Sequence, residues 1–263
     1  MTAWAVTGAI AGVLLWTLGA GGAQSSKPAA RAERPVPFAA GETLTYDVTW
    51  SGLVTAGSAT AVVREKRPSF DSVAYYIVAE GRPSALLASL YQVYYKADTL
   101  LDVYTLLPQR GSIFSSEGTR RRMRETLFDR RANRIRYEVL GGDPLARLDG
   151  HEAEVPESTH DPLSAIYAIR ARGFDAQGPI TLAVSLNGRT RHLRVTVGGV
   201  ETIPCGIGTV RARRLTPAFL DGDGEEGREL GIWLTDDARR LPVKMQATLP
   251  FGAFVLTLTR ASA

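Results

Sequence analysis

Beyond residue 41, hydrophobic and polar side chains alternate with a period of two. In residues 43–50 the apolar side chains take every second position: Leu44, Tyr46, Val48 and Trp50. Three threonines and Asp47 take the positions between them. A period of two, filled with β-branched and aromatic residues, predicts a strand with one buried face.

The same alternation recurs in further segments: 73–79, 119–129, 135–139, 180–186, 193–197, 230–234, 243–249 and 253–259. Turn residues separate these segments, and Asn187-Gly188 between two alternating runs is the strongest short signal of a hairpin. We therefore predict a mainly β fold: a single antiparallel, strongly curved sheet, or a partly open barrel, of about a dozen strands.

Two segments depart from the alternation. Residues 84–90 (SALLASL) predict a short helical segment. Residues 161–172 predict a helix that covers the sheet, with Asp161 as N-cap, Pro162 in the first turn and Gly173 after the end. Because no low-complexity linker follows residue 40, residues 41–260 are predicted to form one β domain.

The N-terminal segment predicts export. Residues 3–20 are uncharged and mostly apolar, and small residues then lead to a cleavage site between Ala23 and Gln24. We predict a signal peptide over 1–23, a flexible tether over 24–40 and a periplasmic location. An uncleaved membrane anchor stays an alternative, because no basic residue precedes the apolar run and 18 apolar residues are about enough to span a bilayer.

Composition and charge narrow the function classes. The chain has 263 residues, of which 44% are hydrophobic and 22% charged, which excludes wholesale disorder and a coiled coil. Arginines concentrate between residues 120 and 136, and guanidinium groups bind phosphates in bidentate fashion. The candidate ligand-binding residues in this arginine segment are Arg120, Arg121, Arg122 and Arg124.

Aromatic side chains supply further candidates. Trp50 and Trp233 each fall within a predicted strand, and Tyr94 lies in the alternating run 91–96. Such residues line either a ligand cavity or an ordinary core. In an exported protein, the anionic partner expected for the arginine segment is a lipid or another anionic amphiphile rather than nucleic acid.

Motifs for catalysis and for cofactors are missing: we find no G-x-S-x-G elbow, no H-E-x-x-H and no P-loop. No catalytic residue and no cofactor is therefore predicted. His151, His160 and Asp161 are weak candidates for metal ligands, because six potential ligands lie within residues 151–161. The loop 221–226 lacks the ligand order of a calcium loop and predicts a solvated hairpin tip.

Several motifs together resemble a known family. They are Pro37-Phe38, residues 41–52 (GETLTYDVTWSG), Ala56-Gly57, residues 161–167 (DPLSAIY), Arg170, residues 232–237 (IWLTDD), residues 240–243 (RLPV) and Phe251-Gly252. In this order they resemble the exported bacterial family called domain of unknown function 3108. The resemblance implies an exported protein built mostly of antiparallel strands, and it implies no activity.

Three functions are compatible with these observations. The first is a non-catalytic envelope protein whose curved sheet binds an apolar or lipidic ligand, with the arginine segment contacting its phosphates. The second is a structural or assembly module that binds another envelope protein through a sheet edge or the arginine segment. The third is a hydrolase that uses the polar cluster at 151–161.

Overall fold

The computed structural model describes residues 31–52, 54–90, 92–174, 178–220, 229–249 and 252–262. Two helices, α1 (Ala85–Leu90) and α2 (Pro162–Arg172), accompany fifteen strands. The strands are β1 (Thr43–Trp50), β2 (Val54–Ser69), β3 (Ser72–Pro83), β4 (Val93–Asp102), β5 (Pro108–Glu117), β6 (Arg120–Asp129), β7 (Arg134–Gly141), β8 (Ala146–Glu154), β9 (Thr159–His160), β10 (Ile180–Leu186), β11 (Arg189–Cys205), β12 (Gly208–Phe219), β13 (Glu229–Thr235), β14 (Pro242–Leu249) and β15 (Gly252–Ser262).

All fifteen strands belong to one sheet with the order β8-β7-β6-β5-β4-β3-β2-β1-β15-β14-β13-β12-β11-β10-β9. The chain therefore builds two wings of hairpin-connected strands. An N-terminal wing runs from β1 to β8, a C-terminal wing runs from β15 back to β9, and the antiparallel pair β1–β15 joins them. The Asn187-Gly188 hairpin is confirmed, since β10 ends and β11 begins on either side of it.

Two details of the predicted sheet need correction. The sheet has fifteen strands rather than about a dozen, and β9 pairs with β10 in parallel rather than antiparallel. The alternating segments leave β2, β5, β8, β9 and β12 without a predicted counterpart. β8 is missed because this edge strand is largely exposed along both faces, so its sequence shows no apolar period. β9 is missed because two residues are too few to display a period.

The sheet is strongly curved around α2. Nine inter-strand steps separate β4 from β10, which at about 4.8 Å a step is roughly 43 Å in a flat sheet. Nevertheless α2 contacts both strands, although a helix is only about 10–12 Å across. The two wings must therefore curl towards each other with the helix between them.

The sequence of α2 suits this enclosed position. Its Leu163 and Tyr167 pack in the hydrophobic cluster of β2–β4, while Ala165 and Ile169 pack in the cluster of β10–β13. A helix that is apolar on opposite sides belongs in an interior. The predicted N-cap Asp161 is also confirmed, since its carboxylate accepts hydrogen bonds from the backbone N–H groups at positions 163 and 164.

The end of α2 is held by a buried ion pair. Arg170 is fully buried and donates two hydrogen bonds to the carboxylate of Glu42, at 2.7 and 2.9 Å. It also donates to the backbone carbonyls of Arg239 and Arg240, at 3.3 and 3.1 Å. Three of the motifs singled out in the sequence, at 41–52, Arg170 and 240–243, thus meet at one structural joint.

The packed region begins ahead of Gly41. Within the predicted tether 24–40, the backbone N–H of Arg34 donates to the carbonyl of Val103 at 3.0 Å, and Phe38 is buried against Tyr75 and Tyr167. Residues Ala32–Ala263 form one compact unit. The predicted signal peptide and its cleavage site at Ala23 and Gln24 lie outside the described residues, and so does the loop 221–226. In the part of the chain that is described, no helix has the length and apolarity to cross a membrane.

Candidate functional site

An apolar cavity lies between α2 and the C-terminal wing. Its volume is about 360 Å³, within the usual range of ligand sites. The helix contributes Ala165, Ile166 and Ile169, and the inner faces of β10–β15 contribute residues such as Val184 and Met245. Nearly all of its walls are hydrocarbon, so the cavity favours an apolar occupant over water.

A second cavity, of about 180 Å³, lies between the first turn of α2 and the inner face of β4–β7. We call it the polar cavity because charged and hydroxyl side chains line it alongside hydrocarbon. Arg124 and Thr126 of β6 and Tyr137 of β7 line one side. Asp161 and Ser185 line the other side. The helix approaches closely here because β5 has Gly111, where a Cβ atom would lie 2.8 Å from the Cβ of Asp161.

Strand β10 is the wall between the two cavities. Successive side chains of a strand point to opposite faces, and Val184 accordingly lines the apolar cavity while Ser185 lines the polar one. Pro162 and Leu186 line both cavities. The cavities are therefore neighbours, with these two residues between them where β10 ends and α2 begins.

The tip of the β10–β11 hairpin borders the polar cavity. Asn187 lines it, and the next residue, Gly188, has a φ of 74° and accepts a hydrogen bond from the His151 imidazole at 3.0 Å. A Cβ atom at Gly188 would lie 2.6 Å from the His151 ring and 2.7 Å from the Tyr137 ring. Only glycine allows this approach, which holds the hairpin of the C-terminal wing against β7 and β8 of the N-terminal wing.

The polar cavity contains a hydroxyl group without a partner. Ser185 is 3% exposed, and its Oγ makes no hydrogen bond within the described structure. Burying a hydroxyl group without a hydrogen bond costs free energy, so a buried hydroxyl group without a partner needs an explanation. A ligand atom in the cavity would supply the missing partner.

Arg124 brings a positive charge to the same cavity. Burial raises the pKa of the neighbouring Tyr137, while the charge of Arg124 acts in the opposite direction, which places the guanidinium beside the phenol. Among the described residues, Arg124 makes no ion pair with a carboxylate. Its charge is therefore available to an anion.

The predicted arginine segment is divided by the pleat of β6. Arg120, Arg122 and Arg124 share the face of Thr126 and Phe128, both of which are buried, because no bulge interrupts this strand. Arg121 points to the other face and pairs with Asp143. The remaining arginines of the segment have structural partners, which are carbonyls at Pro108, Glu157 and Thr159 for Arg130, Asp71 for Arg131, and Glu152 for Arg134 and Arg136.

The three predicted aromatics lie elsewhere than the described lining of the two cavities. Trp50 is 40% exposed at the end of β1. Tyr94 packs against Phe114 with its ring centroid 6.1 Å away. Trp233 is buried, and its indole N–H donates to Glu201 at 2.8 Å.

The weak metal candidates each have another role. His151 holds the hairpin tip, Asp161 caps α2 and accepts from the Thr99 hydroxyl at 2.7 Å, and His160 is 4% exposed. Burial lowers the pKa of His160 to about 4, and the charge of Arg130 adds to this effect. Within the described ranges, no three histidine, cysteine or acidic side chains form a group that could hold a metal ion.

A serine and a histidine do lie together in the 151–161 region and its neighbour α2. The Ser164 Oγ is 3.4 Å from Nδ1 of His160, but it also accepts from the backbone N–H of Asp161 and donates to its carbonyl, both at 3.0 Å. Ser164 is fully buried. The hydroxyl is thus committed to a capping box and is out of reach of a substrate.

Sequence reasoning proposed Arg124 but missed Ser185 and Tyr137. Both missed residues lie in strands. Alternation predicts which face of the sheet such a side chain points to, but not what lies opposite that face. Their shared cavity exists because two distant parts of one sheet are brought face to face. A signal for it was the polar Ser185 in the otherwise apolar second half of β10.

Comparisons with known proteins give a family and a fold. The model of a family described as protein of unknown function (DUF3108) matches residues 45–259. A search of curated proteins found no match. A crystal structure from Brucella abortus, described as a β-barrel-like protein of domain of unknown function DUF1849, is 13% identical with a TM-score of 0.57, over 88% of this chain and 99% of that chain.

Two further solved structures are more distant. One, from Bacteroides fragilis, is described as an exported protein with a YmcC-like fold; it is 11% identical over 88% of this chain and 100% of that one, with a TM-score of 0.34. The other, described as a lipoprotein from Parabacteroides distasonis, is 7% identical over the same shares, with a TM-score of 0.34. Of these three structures, the one from Brucella abortus is similar enough to support the fold, and it supports the fold alone.

Proposed function

The chain belongs to the DUF3108 family, and we propose that it is an exported, non-catalytic protein of the cell envelope that binds an apolar or lipidic ligand inside its curved sheet. The observation that carries the proposal is the apolar cavity of about 360 Å³ between α2 and the C-terminal wing. Well-formed apolar cavities beside a few polar groups are the usual form of a small-molecule site.

Export is supported by the sequence rather than by the described fold. The uncharged apolar run at residues 3–20 and the small residues before Gln24 match a secretory signal, and the periplasm is the compartment we propose. In this compartment lipids and their anionic relatives are the abundant amphiphiles, and nucleic acid is not an expected partner.

The absence of catalysis is part of the proposal and rests on the 151–161 region. His160 and the neighbouring Ser164 of α2 are both buried, and the Ser164 hydroxyl is committed to the capping box of α2. A nucleophile needs access to substrate and a base poised to take its proton. We therefore place the hydrolase alternative behind ligand binding.

The assembly alternative would use a sheet edge, and β8 is such an edge. Its exposed side chains include Arg147, Asp149, Glu152 and Glu154. Charged residues on an edge strand oppose the addition of a further strand. The edge is therefore a protected one, which favours the ligand-binding function over strand addition.

The test is to fill the cavity and to measure binding of an uncharged apolar probe. We expect the wild-type chain to bind N-phenyl-1-naphthylamine saturably in a fluorescence titration. Ile166→Trp places an indole in the cavity, so we expect the affinity to fall about tenfold or more, as is typical when a buried aliphatic contact of roughly 1.5–3 kcal/mol is lost.

Leu86→Trp is the matched control, because Leu86 is 70% exposed on α1. This variant should bind the probe like the wild type. Equal affinity in the wild type and in Ile166→Trp, or no saturable binding at all, would contradict the proposed function. Native mass spectrometry of chain purified from the envelope should additionally reveal a bound lipid.

A further inference from the structure

We infer that the polar cavity binds the anionic head group, a carboxylate or a phosphate, of a single-chain amphiphile whose tail lies in the apolar cavity. The inference rests on the proposed function and deepens it, because it states the chemistry of the ligand. It depends on residues that the proposed function does not use, namely Arg124, Ser185 and Tyr137.

The first step is that the two cavities are neighbours, so that a single amphiphile which passes Pro162 and Leu186 would reach both. Pro162 and Leu186 line both of them, so the two spaces adjoin at the end of β10. One side of this junction is hydrocarbon and the other has charged and hydroxyl groups. This division matches an amphiphile, whose tail avoids water and whose head requires hydrogen bonds.

The second step is the sign of the head group. Arg124 has no carboxylate partner among the described residues, and its side chain lines the cavity. Ser185 and Tyr137 add hydroxyl groups, which donate as readily as they accept. A guanidinium with two hydroxyl groups is a donor set for an oxyanion, which a cation or an uncharged tail would leave unused.

The third step is the orphan Ser185. Its Oγ is buried, lines the polar cavity and has no hydrogen-bond partner in the described structure. An oxygen of a bound head group would accept from it. The hydroxyl thus points to a ligand independently of the arginine.

The acidic residue in the cavity does not compete for Arg124. Asp161 lines the cavity, but its Oδ1 accepts from the N–H groups of residues 163 and 164, and its Oδ2 accepts from Thr99. Its carboxylate is therefore committed to capping α2. The Arg124 guanidinium interacts with the Tyr137 hydroxyl, which does not neutralise its charge, so the charge remains for the ligand.

The experiment compares four probes by isothermal titration calorimetry with the full chain: dodecanoate, dodecyl phosphate, dodecanol and inorganic phosphate. We expect at least one of the two anionic chains to bind about tenfold or more tightly than dodecanol, as is typical of hydrogen bonds to a charged group. Which anion binds more tightly identifies the head group. Inorganic phosphate alone should bind far more weakly than either.

The variants are Arg124→Met and Ser185→Ala. We expect the ratio of the anion affinity to the dodecanol affinity to fall about tenfold in the first and roughly threefold in the second. Arg121→Met is the matched control, because it removes the same charge from the opposite face of β6, where Arg121 pairs with Asp143. Its ratio should equal that of the wild type.

Each contrary result has a distinct meaning. If dodecanol binds as well as both anions, or if Arg124→Met and Ser185→Ala keep the wild-type ratio, the head-group inference is wrong and the proposed function stands. If inorganic phosphate binds as tightly as dodecyl phosphate, the site takes a free anion and the inference is wrong. If none of the three chain probes binds, both proposals fail. Ser185→Ala decides the matter alone if Arg124→Met does not fold.

Discussion

The two ends of α2 differ in whether the buried polar groups around them have partners. At the C-terminal end, Arg170 is fully buried, and each of its three nitrogens donates to Glu42 or to a backbone carbonyl. At the N-terminal end, the polar cavity leaves the Ser185 hydroxyl without a partner and the Arg124 charge without a carboxylate. The saturated guanidinium of Arg170 joins parts of the fold, although the nearby Tyr167 hydroxyl has no hydrogen-bond partner among the described residues. Around Ser185 the missing partner coincides with a cavity, which leaves room for a ligand.

The difference concerns geometry as much as chemistry. The Glu42–Arg170 pair joins the entry of β1 to the end of α2 and to the turn before β14. The helix carbonyls there are also satisfied, since Arg240 donates to the carbonyl of Arg170. Around Arg124, by contrast, the sheet and the helix stand apart and enclose about 180 Å³. Each prediction below tests one side of this contrast.

The largest effect is expected at the saturated end. Arg170→Met leaves the Glu42 carboxylate buried without its partner, so we expect the free energy of unfolding to fall by about 3–5 kcal/mol, as measured by urea denaturation. Adding Glu42→Gln should recover part of the loss, because the uncompensated charge is then gone.

The control for this prediction is Arg121→Met, which breaks a surface pair with Asp143 and should change stability by about 1 kcal/mol or less. If Arg170→Met were no more harmful than this control, the buried pair would not hold the end of the helix. The contrast between the two ends of α2 would then disappear.

The next effect depends on pH and lies at the start of the helix. Burial holds the pKa of His160 at about 4, whereas in the unfolded chain it is near 6.5. Between pH 6.5 and pH 4 the unfolded chain therefore binds a proton at His160 that the folded chain does not bind. Stability should be full above pH 6.5 and should fall by about 3 kcal/mol as the pH drops towards 4.

The measurement is the free energy of unfolding between pH 7 and pH 4.5. His160→Asn should flatten the slope, while Leu86→Trp, which changes no titratable group at an exposed position, should leave it as in the wild type. Asp161 acts with the opposite sign, because burial raises its pKa and its protonated form is favoured in the folded chain. If the free energy of unfolding of the wild type rose as the pH was lowered, the assignment to His160 would be contradicted.

The smallest effect compares one substitution at two serines. Ser164→Ala removes a hydroxyl that both accepts and donates in the capping box, so we expect a loss of about 1 kcal/mol. Ser185→Ala removes an orphan hydroxyl, so we expect no loss, or a gain of up to about 1 kcal/mol, in the ligand-free chain. Thermal unfolding of both variants tests the difference in sign. Equal losses would show that Ser185 has a partner.

Much of the fold follows from alternation and from turn chemistry. The strands around Tyr46, the hairpin at Asn187-Gly188 and the helix capped by Asp161 are confirmed because each depends on neighbouring residues. The exposed edge strand β8 and the short β9 are not predicted, since their place comes from tertiary pairing. The family resemblance is confirmed over residues 45–259.

The site is less accessible to sequence reasoning. An arginine every second residue indicates a basic face, but not that Arg124 lines a cavity while Arg121 pairs with Asp143 on the other side. The polar cavity depends on how far the sheet curls, because β6 and β10 lie eleven strands apart in its order. Curvature accumulates from small twists at every strand pair, and no single residue encodes it.

The pairing of β1 with β15 has a consequence for the speed of folding. Both wings grow mainly through hairpins between strands that follow one another in the chain, and such local contacts form quickly. The seam between the wings instead brings Thr43 opposite Ser262. Closing so long a loop costs conformational entropy, and this cost falls before any hydrogen bond of the seam can form. We expect refolding to slow at this step, with two unpaired strand edges exposed until the seam closes.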